Sequence, residues 1–208
     1  MLNYRGPIRN EPLPIELHNT LYVVGGDVVD GLADAAGRRA WVGAIGDRLP
    51  FTAPKVDPSR FGDFDALREA VREVLHATLE RRRPSKAALT ELNRRSATAP
   101  RFEQLTQAGP ALAAQTRYQA ATPMDALLGY LAAATIGLVS GPHAAELRAC
   151  GAPGCVLMFL KEHPRREWCS TQCGNRARQA RHYARQRRQD PTDSIAPPKP
   201  ISLPSASR

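Results

Sequence analysis

Apolar and polar positions change their spacing several times along this chain, and each change marks a predicted element. Met1 to Pro14 holds three prolines and is read as irregular. Ile15-Glu16-Leu17-His18-Asn19-Thr20-Leu21 then alternates, and with Tyr22-Val23-Val24 it predicts a strand ended by Gly25-Gly26. A helix is expected from Ala35 to Arg48, with Trp41, Val42 and Ile45 facing the core. Leu67, Val71, Val74, Leu75 and Leu79 recur at steps of three and four, which predicts a helix capped by Asp63 or Asp65 and running to about Arg83. Pro84 stops it, and Ser85 caps a shorter helix to about Arg95 carrying Leu89 and Leu92.

Arg101 to Thr106 and Ala111 to Gln119 flank Gly109-Pro110 and predict a hairpin. Met124 to Val139 is apolar nearly all round, with Leu127, Leu128, Leu131, Ile136 and Leu138, which places it at the centre of the fold. Ser140-Gly141-Pro142 breaks it. From Asp190 onward proline and serine dominate, and residues 190–208 are expected to be disordered. No internal repeat occurs.

A chain of 208 residues, 42% hydrophobic, supports one domain with a real core and a small appendage. The greasiest stretch, Ala126 to Val139, is short of the roughly 20 residues that span a bilayer. No export signal precedes it, so a soluble cytoplasmic protein without a membrane partner is expected.

The net charge of +9 is concentrated. Arg165, Arg166, Arg176, Arg178, Arg181, Arg185, Arg187 and Arg188 stand against one acid, Glu167, in a stretch that alone carries +7. The rest of the chain is close to neutral. Such segregation fits a polyanionic partner for one module, or a solvated basic tail.

The four cysteines follow the pattern Cys150-x4-Cys155-x13-Cys169-x3-Cys173, and no other cysteine occurs. Without an export signal, two disulfides are a poor explanation, because the cytosol keeps thiols reduced. Two close pairs suit one tetrahedral Zn²⁺ per chain, and four thiolates leave no open position, so the site is expected to be structural. An iron–sulfur cluster could use the same ligands, but this spacing favours zinc. Gly151-Ala152-Pro153-Gly154 forms the first knuckle. Val156 to Leu160 is of strand length, Lys161 to Pro164 turns, and Arg165 to Trp168 returns to the metal. Trp168 is expected to cover the sulfurs and pack on Phe159, with His163 exposed in the loop.

Ser170 can cap a helix from Cys173 to about Arg188. On a helical wheel Cys173, Ala177, Ala180 and Ala184 form a stripe for packing, while Arg178, Arg181, Arg185 and Arg188 share an adjoining ridge suited to phosphates and base edges. Arg176, next to Cys173, is a further candidate contact, or a partner for Glu167 or a carbonyl within the module. His182 is either a phosphate contact or solvent-facing.

Trp168-Cys169-Ser170 followed by Cys173-Gly174-Asn175-Arg176 resembles the signature of the CGNR zinc finger, which ends bacterial proteins that begin with an ABATE domain. Leu147-Arg148-Ala149 before Cys150 extends the likeness. His18-Asn19-Thr20-Leu21 is similar to the Asn-Thr start of the ABATE domain, and Leu32 with Trp41-Val42 to its early helix. Between the cysteine pairs, Leu160-Lys161-Glu162-His163-Pro164 replaces the family's aspartate and basic, serine- and asparagine-containing stretch. His18 replaces its usual aromatic or aliphatic residue. The resemblance implies a stress-induced transcription regulator whose finger binds DNA.

The combined expectation is an α+β protein: a mostly helical domain with a small antiparallel sheet or hairpin over residues 1–141, and a four-cysteine zinc finger of hairpin plus helix over 142–189. DNA is the expected partner, with a zinc-stabilised module for RNA or an acidic protein surface as the alternative. A homodimer and a small-molecule signal for the larger domain are left open. Catalysis is not expected, because His18, Asp27, Asp30, His76 and Asp125 are scattered and no nucleophile elbow, phosphate loop or His-Glu metal motif occurs. The larger domain is expected to fold without the metal.

Overall fold

The computed structural model describes residues 4–189. Within them, six α-helices and six strands follow in the order α1 (Leu13–His18), β1 (Leu21–Val24), β2 (Asp27–Asp30), α2 (Ala35–Ala44), α3 (Phe61–Glu80), α4 (Lys86–Ser96), β3 (Arg101–Ala108), β4 (Ala111–Tyr118), α5 (Pro123–Ser140), β5 (Leu147–Ala149), β6 (Met158–Leu160) and α6 (Thr171–Gln189). The strands pair with their neighbours in sequence, as three separate antiparallel hairpins. The fold is α+β, with its core made by helices.

Local chemistry sets the helix ends. Asp34 accepts the Gly37 amide at 2.7 Å to start α2, and Ser85 accepts the Ala88 amide at 3.2 Å to start α4. Thr122 does the same for Asp125 at 3.1 Å, starting α5. The helix α3 begins earlier than its expected caps. Asp63 lies in its first turn and is drawn to Arg60 and Arg95 instead. Arg81, with φ 55°, closes it in the left-handed conformation before Pro84.

The apolar faces meet as the periodicity predicts. Leu67, Val71, Val74 and Leu75 of α3 are buried, with Leu79 at the edge. In α4, Leu92 is buried and Leu89 exposed. The helix α5 is long and apolar enough to cross a membrane by composition, yet it packs against α1, α3 and α4 with Leu127, Leu128 and Leu131 fully enclosed. A Cβ at Gly129 would stand 2.5 Å from the Ala99 Cβ and 3.0 Å from the Arg95 carbonyl oxygen. Only glycine allows α5 to approach the end of α4 so closely.

The first predicted strand is a correction. Ile15 to His18 belongs to α1, and the strand begins only at Leu21. Every residue from Leu13 to His18 is buried, polar Glu16 and His18 included, so the alternation did not separate an inner from an outer face. Prolines at the N-cap and in the first turn suit a helix start, where amides need no helical partner. The Glu16 carboxylate accepts the amides of Arg9 and Glu11 at 2.9 and 2.8 Å and pairs with Arg48.

The core does not stop at the expected boundary near Gly141. Leu147, Met158 and Leu160 of β5 and β6 join the same buried cluster as Ile15, Trp41, Phe64 and Leu127. Burying each such side chain contributes about 1.5–3 kcal/mol, a large share of a typical domain's net stability of about 5–15 kcal/mol. A larger domain ending at Gly141 would therefore lose part of its own core.

Candidate metal centre and nucleic-acid interface

The strands β5 and β6 clasp the first knuckle. Leu147 pairs with Leu160, Arg148 with Phe159 and Ala149 with Met158, and the Cys150 amide donates to the Leu157 carbonyl at 2.9 Å. Gly154, at φ 69°, closes the tight turn between Cys150 and Cys155. Arg165–Trp168 returns the chain to the sulfurs as expected, while β6 takes the upstream β5 as its partner strand. Arg166 donates its guanidinium to the Leu160 carbonyl at 3.0 Å, on the edge of β6 away from β5. His163 is exposed, and its Nδ1 accepts the Arg165 amide at 3.1 Å in the loop.

The second pair sits at the start of α6. Ser170 accepts the Cys173 amide at 3.2 Å, which aligns Cys169 and Cys173 on one side of the first turn. The Sγ atoms of Cys150, Cys155, Cys169 and Cys173 all lie within 4.8 Å of one another. Cys155 and Cys169 are 3.8 Å apart, Cys169 and Cys173 3.5 Å. Four sulfurs placed at about 2.3 Å around one zinc stand roughly 3.8 Å from each other, so the cage fits.

The electrostatics of the thiols point the same way. Hydrogen bonds from Cys155 and Cys169 drive the Cys150 thiol down, whereas its bond to Cys150 pushes Cys155 up to about 12. Hydrogen bonding to Cys150 and Cys155 raises Cys169 as well, and burial adds to it. Thiolates this close together repel one another, so holding them as ligands needs a cation at their centre.

Around the sulfurs, Ala152, Leu157, Phe159 and Ala177 form a second small core. Arg176 donates to Cys173 Sγ at 3.3 Å, so this candidate nucleic-acid contact is placed at the ligand, not at Glu167. Trp168 packs against this core, over Gly174, where a Cβ would come within 3.2 Å of the indole. Arg181 and Arg178 lie over the ring at 5.6 and 6.0 Å. Phe159, in the same cluster, is covered by Arg166 at 4.8 Å.

Beyond Ala180 the helix leaves the body. Ala177 is buried and Ala180 half-buried, but Ala184 is exposed, so the alanine stripe packs for one turn only. Arg181, His182, Tyr183, Arg185 and Arg187 all face solvent. Arg178 and Arg181 are anchored locally, by Asn175 Oδ1 at 2.5 Å and the Ala177 carbonyl at 3.3 Å. Arg185 and Arg187 have no hydrogen-bond or ion-pair partner among the described residues. The side chain of Arg188 and the tail 190–208 lie outside the described residues.

Seven of the fifteen arginines in residues 1–141 are tied to acids. Arg38, Arg48, Arg60, Arg68, Arg82, Arg94 and Arg95 each meet a carboxylate within 4.0 Å. Of the scattered acids, Asp30 serves Arg68 and Asp125 serves Arg60, while Asp27 lies at the start of β2.

Residues not singled out for this purpose join the two parts. Asn19 is fully buried; its Nδ2 donates to the Met158 carbonyl at 2.9 Å and its Oδ1 accepts the Met158 amide at 2.8 Å. Glu11 accepts the Leu160 amide at 3.0 Å through Oε2 and pairs with Arg166 through Oε1. The buried carbonyl oxygen of Asn19 also faces His18 Nδ1 at 3.2 Å, and His18 Nε2 faces His76 Nε2 at 3.3 Å. Because Asn19 Oδ1 can only accept, Nδ1 of His18 carries the proton and His76 donates to Nε2.

The structure thus defines a helical α+β domain fused to a four-cysteine zinc module with a basic helix. The ABATE family, described as "Putative stress-induced transcription regulator", matches residues 11–142, and the CGNR zinc finger matches residues 146–186. The chain belongs to the ABATE family and carries a CGNR zinc finger with one structural zinc. No curated protein matches it.

Proposed function

We propose that this protein is a cytoplasmic transcription regulator, not an enzyme, that binds duplex DNA through the outer half of α6. The observation that carries the reading is the concentration of exposed positive charge on α6. Arg178, Arg181, Arg185 and Arg187 are all exposed on one helix that contains no acidic residue, and Arg185 and Arg187 have no hydrogen-bond or ion-pair partner among the described residues. An isolated basic helix of this kind would fray; the zinc site and the Trp168 contacts hold its first turns. The helix then enters a groove with guanidinium groups free for phosphates and base edges.

Arg178 and Arg181, still exposed while resting on Trp168, extend this surface toward the body. Arg188 continues the ridge by its position in the helix. Arg176 acts on the metal site instead, where its contact with Cys173 stabilises a thiolate.

A single-stranded RNA partner is the second reading, favoured by Tyr183. Its side chain is 63% exposed among arginines and beside His182, which offers a base-stacking surface. Competition separates the two. Zinc-loaded protein bound to a labelled duplex should be displaced by unlabelled duplex DNA and poorly by single-stranded RNA; preferential displacement by RNA would favour the second reading.

A further inference from the structure

The hairpin β3–β4 is anchored at its base and touches little else. Tyr118 meets Phe51 at 5.4 Å and Tyr130 at 5.7 Å, and the rings of Phe51 and Tyr130 are 5.8 Å apart. Beyond this aromatic joint the ribbon stands in solvent with Leu105 69%, Leu112 70% and Phe102 49% exposed. A lone two-stranded ribbon is at best marginally stable in water, and long uncovered edges invite pairing.

The ladder identifies what each edge offers. The Gln119 amide donates to the Pro100 carbonyl at 2.9 Å, which makes that opposed pair a hydrogen-bonded one. Hydrogen-bonded and open pairs alternate, so Phe102/Arg117, Gln104/Gln115, Thr106/Ala113 and Ala108/Ala111 bond within the hairpin. Leu112, Ala114 and Thr116 therefore turn their amides and carbonyls to the free edge of β4. From Ala111 to Thr116 this edge has no charge, no proline and no bulge. The outer edge of β3 is blunted by Arg101 and Glu103, which occupy its outward positions.

We propose that the free edge of β4 is a homodimer interface, in which two copies pair antiparallel about a two-fold axis at Ala114. This goes beyond the nucleic-acid reading and does not depend on it. With Ala114 opposite its counterpart, Leu112 faces the second copy's Thr116 and Ala111 its Arg117. Each tip then reaches the other hairpin's base, every outward amide of Leu112, Ala114 and Thr116 finds a carbonyl, and no like charges meet. Leu105 lies opposite Ala114 within one hairpin, so pairing creates a continuous row across four strands: Leu105, Ala114, the second copy's Ala114 and its Leu105. The leucines on that face become a shared patch over a four-stranded sheet. Closure about the axis uses up both edges and stops at two copies.

Sedimentation equilibrium of the full-length, zinc-loaded protein tests this over a wide concentration range. The expected mass is twice 22.7 kDa. Ala114→Pro removes one outward amide without touching a hydrogen bond inside the hairpin, and should return the protein to a monomer with unchanged zinc content. Ala114→Glu keeps every main-chain donor and sets two like charges directly opposite each other across the axis; it should weaken dimerisation at least tenfold. That second variant decides the matter if the proline variant loses its near-ultraviolet circular dichroism. A wild-type monomer throughout, an open-ended series of larger species, or a dimer indifferent to both substitutions would overturn the proposal.

Discussion

The β3–β4 and β5–β6 hairpins of this chain invert the usual relation between size and burial. The β5–β6 pair has strands of 3 residues, every one of Met158, Phe159 and Leu160 is buried, and polar side chains from elsewhere clamp it. The β3–β4 pair has strands of 8 residues and is mostly exposed. Strand length therefore says little about which ribbon matters to the core. The short one joins the zinc module to the helical domain: on one face it completes the sulfur cage, and on the other it fills the core beside Ile15 and Leu127. The long one is a projection held by three aromatic rings.

If that comparison is right, damage to the metal centre should spread further than damage to the long hairpin. Cys169→Ser removes a ligand whose site, in small zinc modules, is worth about 10–16 kcal/mol of metal-linked folding free energy. We expect loss of the bound zinc, melting of α6, and a weakened near-ultraviolet signal from Trp41 as Leu147, Met158 and Leu160 leave the shared core. A Trp41 environment untouched by zinc loss would show that the helical domain is self-sufficient, as its helical periodicity alone led us to expect.

A smaller but more local effect is expected at the clamp. Asn19→Leu keeps the volume but strands the Met158 amide and carbonyl, each buried polar group costing about 1–3 kcal/mol when unpaired. Denaturant unfolding should show a loss of roughly 2–5 kcal/mol with zinc still bound. An Asn19 variant as stable as the wild type would mean that the two parts are joined by apolar packing alone.

The same connection carries a pH dependence. Burial, opposed by the Asn19 hydrogen bond, holds the His18 imidazole down at about 3, against 6.5 for an ordinary histidine. Between those values the unfolded chain takes up a proton that the folded chain refuses. His18 therefore does not penalise folding above pH 6.5, and as pH falls below it stability should drop by up to about 1.4 kcal/mol per unit. His18→Asn retains a donor toward Asn19 Oδ1 without a titrating ring. Unfolding free energies from urea titrations near neutrality and near pH 5 should differ by about 2 kcal/mol less in the variant than in the wild type. Equal pH dependence in both would remove His18 from the account.

Much of this was legible beforehand, for particular reasons. The cysteine spacing identified the cage because ligand geometry is local to two short loops and one helix turn. The Leu67–Leu79 stripe and the Ser85 cap placed α3 and α4 because periodicity and capping act within a few residues. The clamp was not legible. Asn19 and Met158 are 139 positions apart, and nothing local tells a buried asparagine that bridges two modules from one in a turn. Only the resemblance at His18-Asn19-Thr20 drew attention to the position. The strand assigned to Ile15–His18 failed because full burial erases the difference between faces on which the alternation rule depends. The partner of β6 was not legible because a strand-length run can pair on either side, and side chains of Asn19, Glu11 and Arg166, not a strand, hold its other edge.

On the proposed reading, the exposed arginines on the outer half of α6 meet DNA phosphates while the zinc cage holds the helix in place. The most direct test of that reading is the salt dependence of duplex binding by zinc-loaded wild type and the Arg185→Ala, Arg187→Ala double variant, with zinc content and helicity measured alongside. Each lost phosphate contact should lower the slope of log affinity against log salt by roughly 0.9, so the double variant should fall by about 1.8 with its zinc and helix intact. An unchanged slope and affinity in a fully folded double variant would contradict the account.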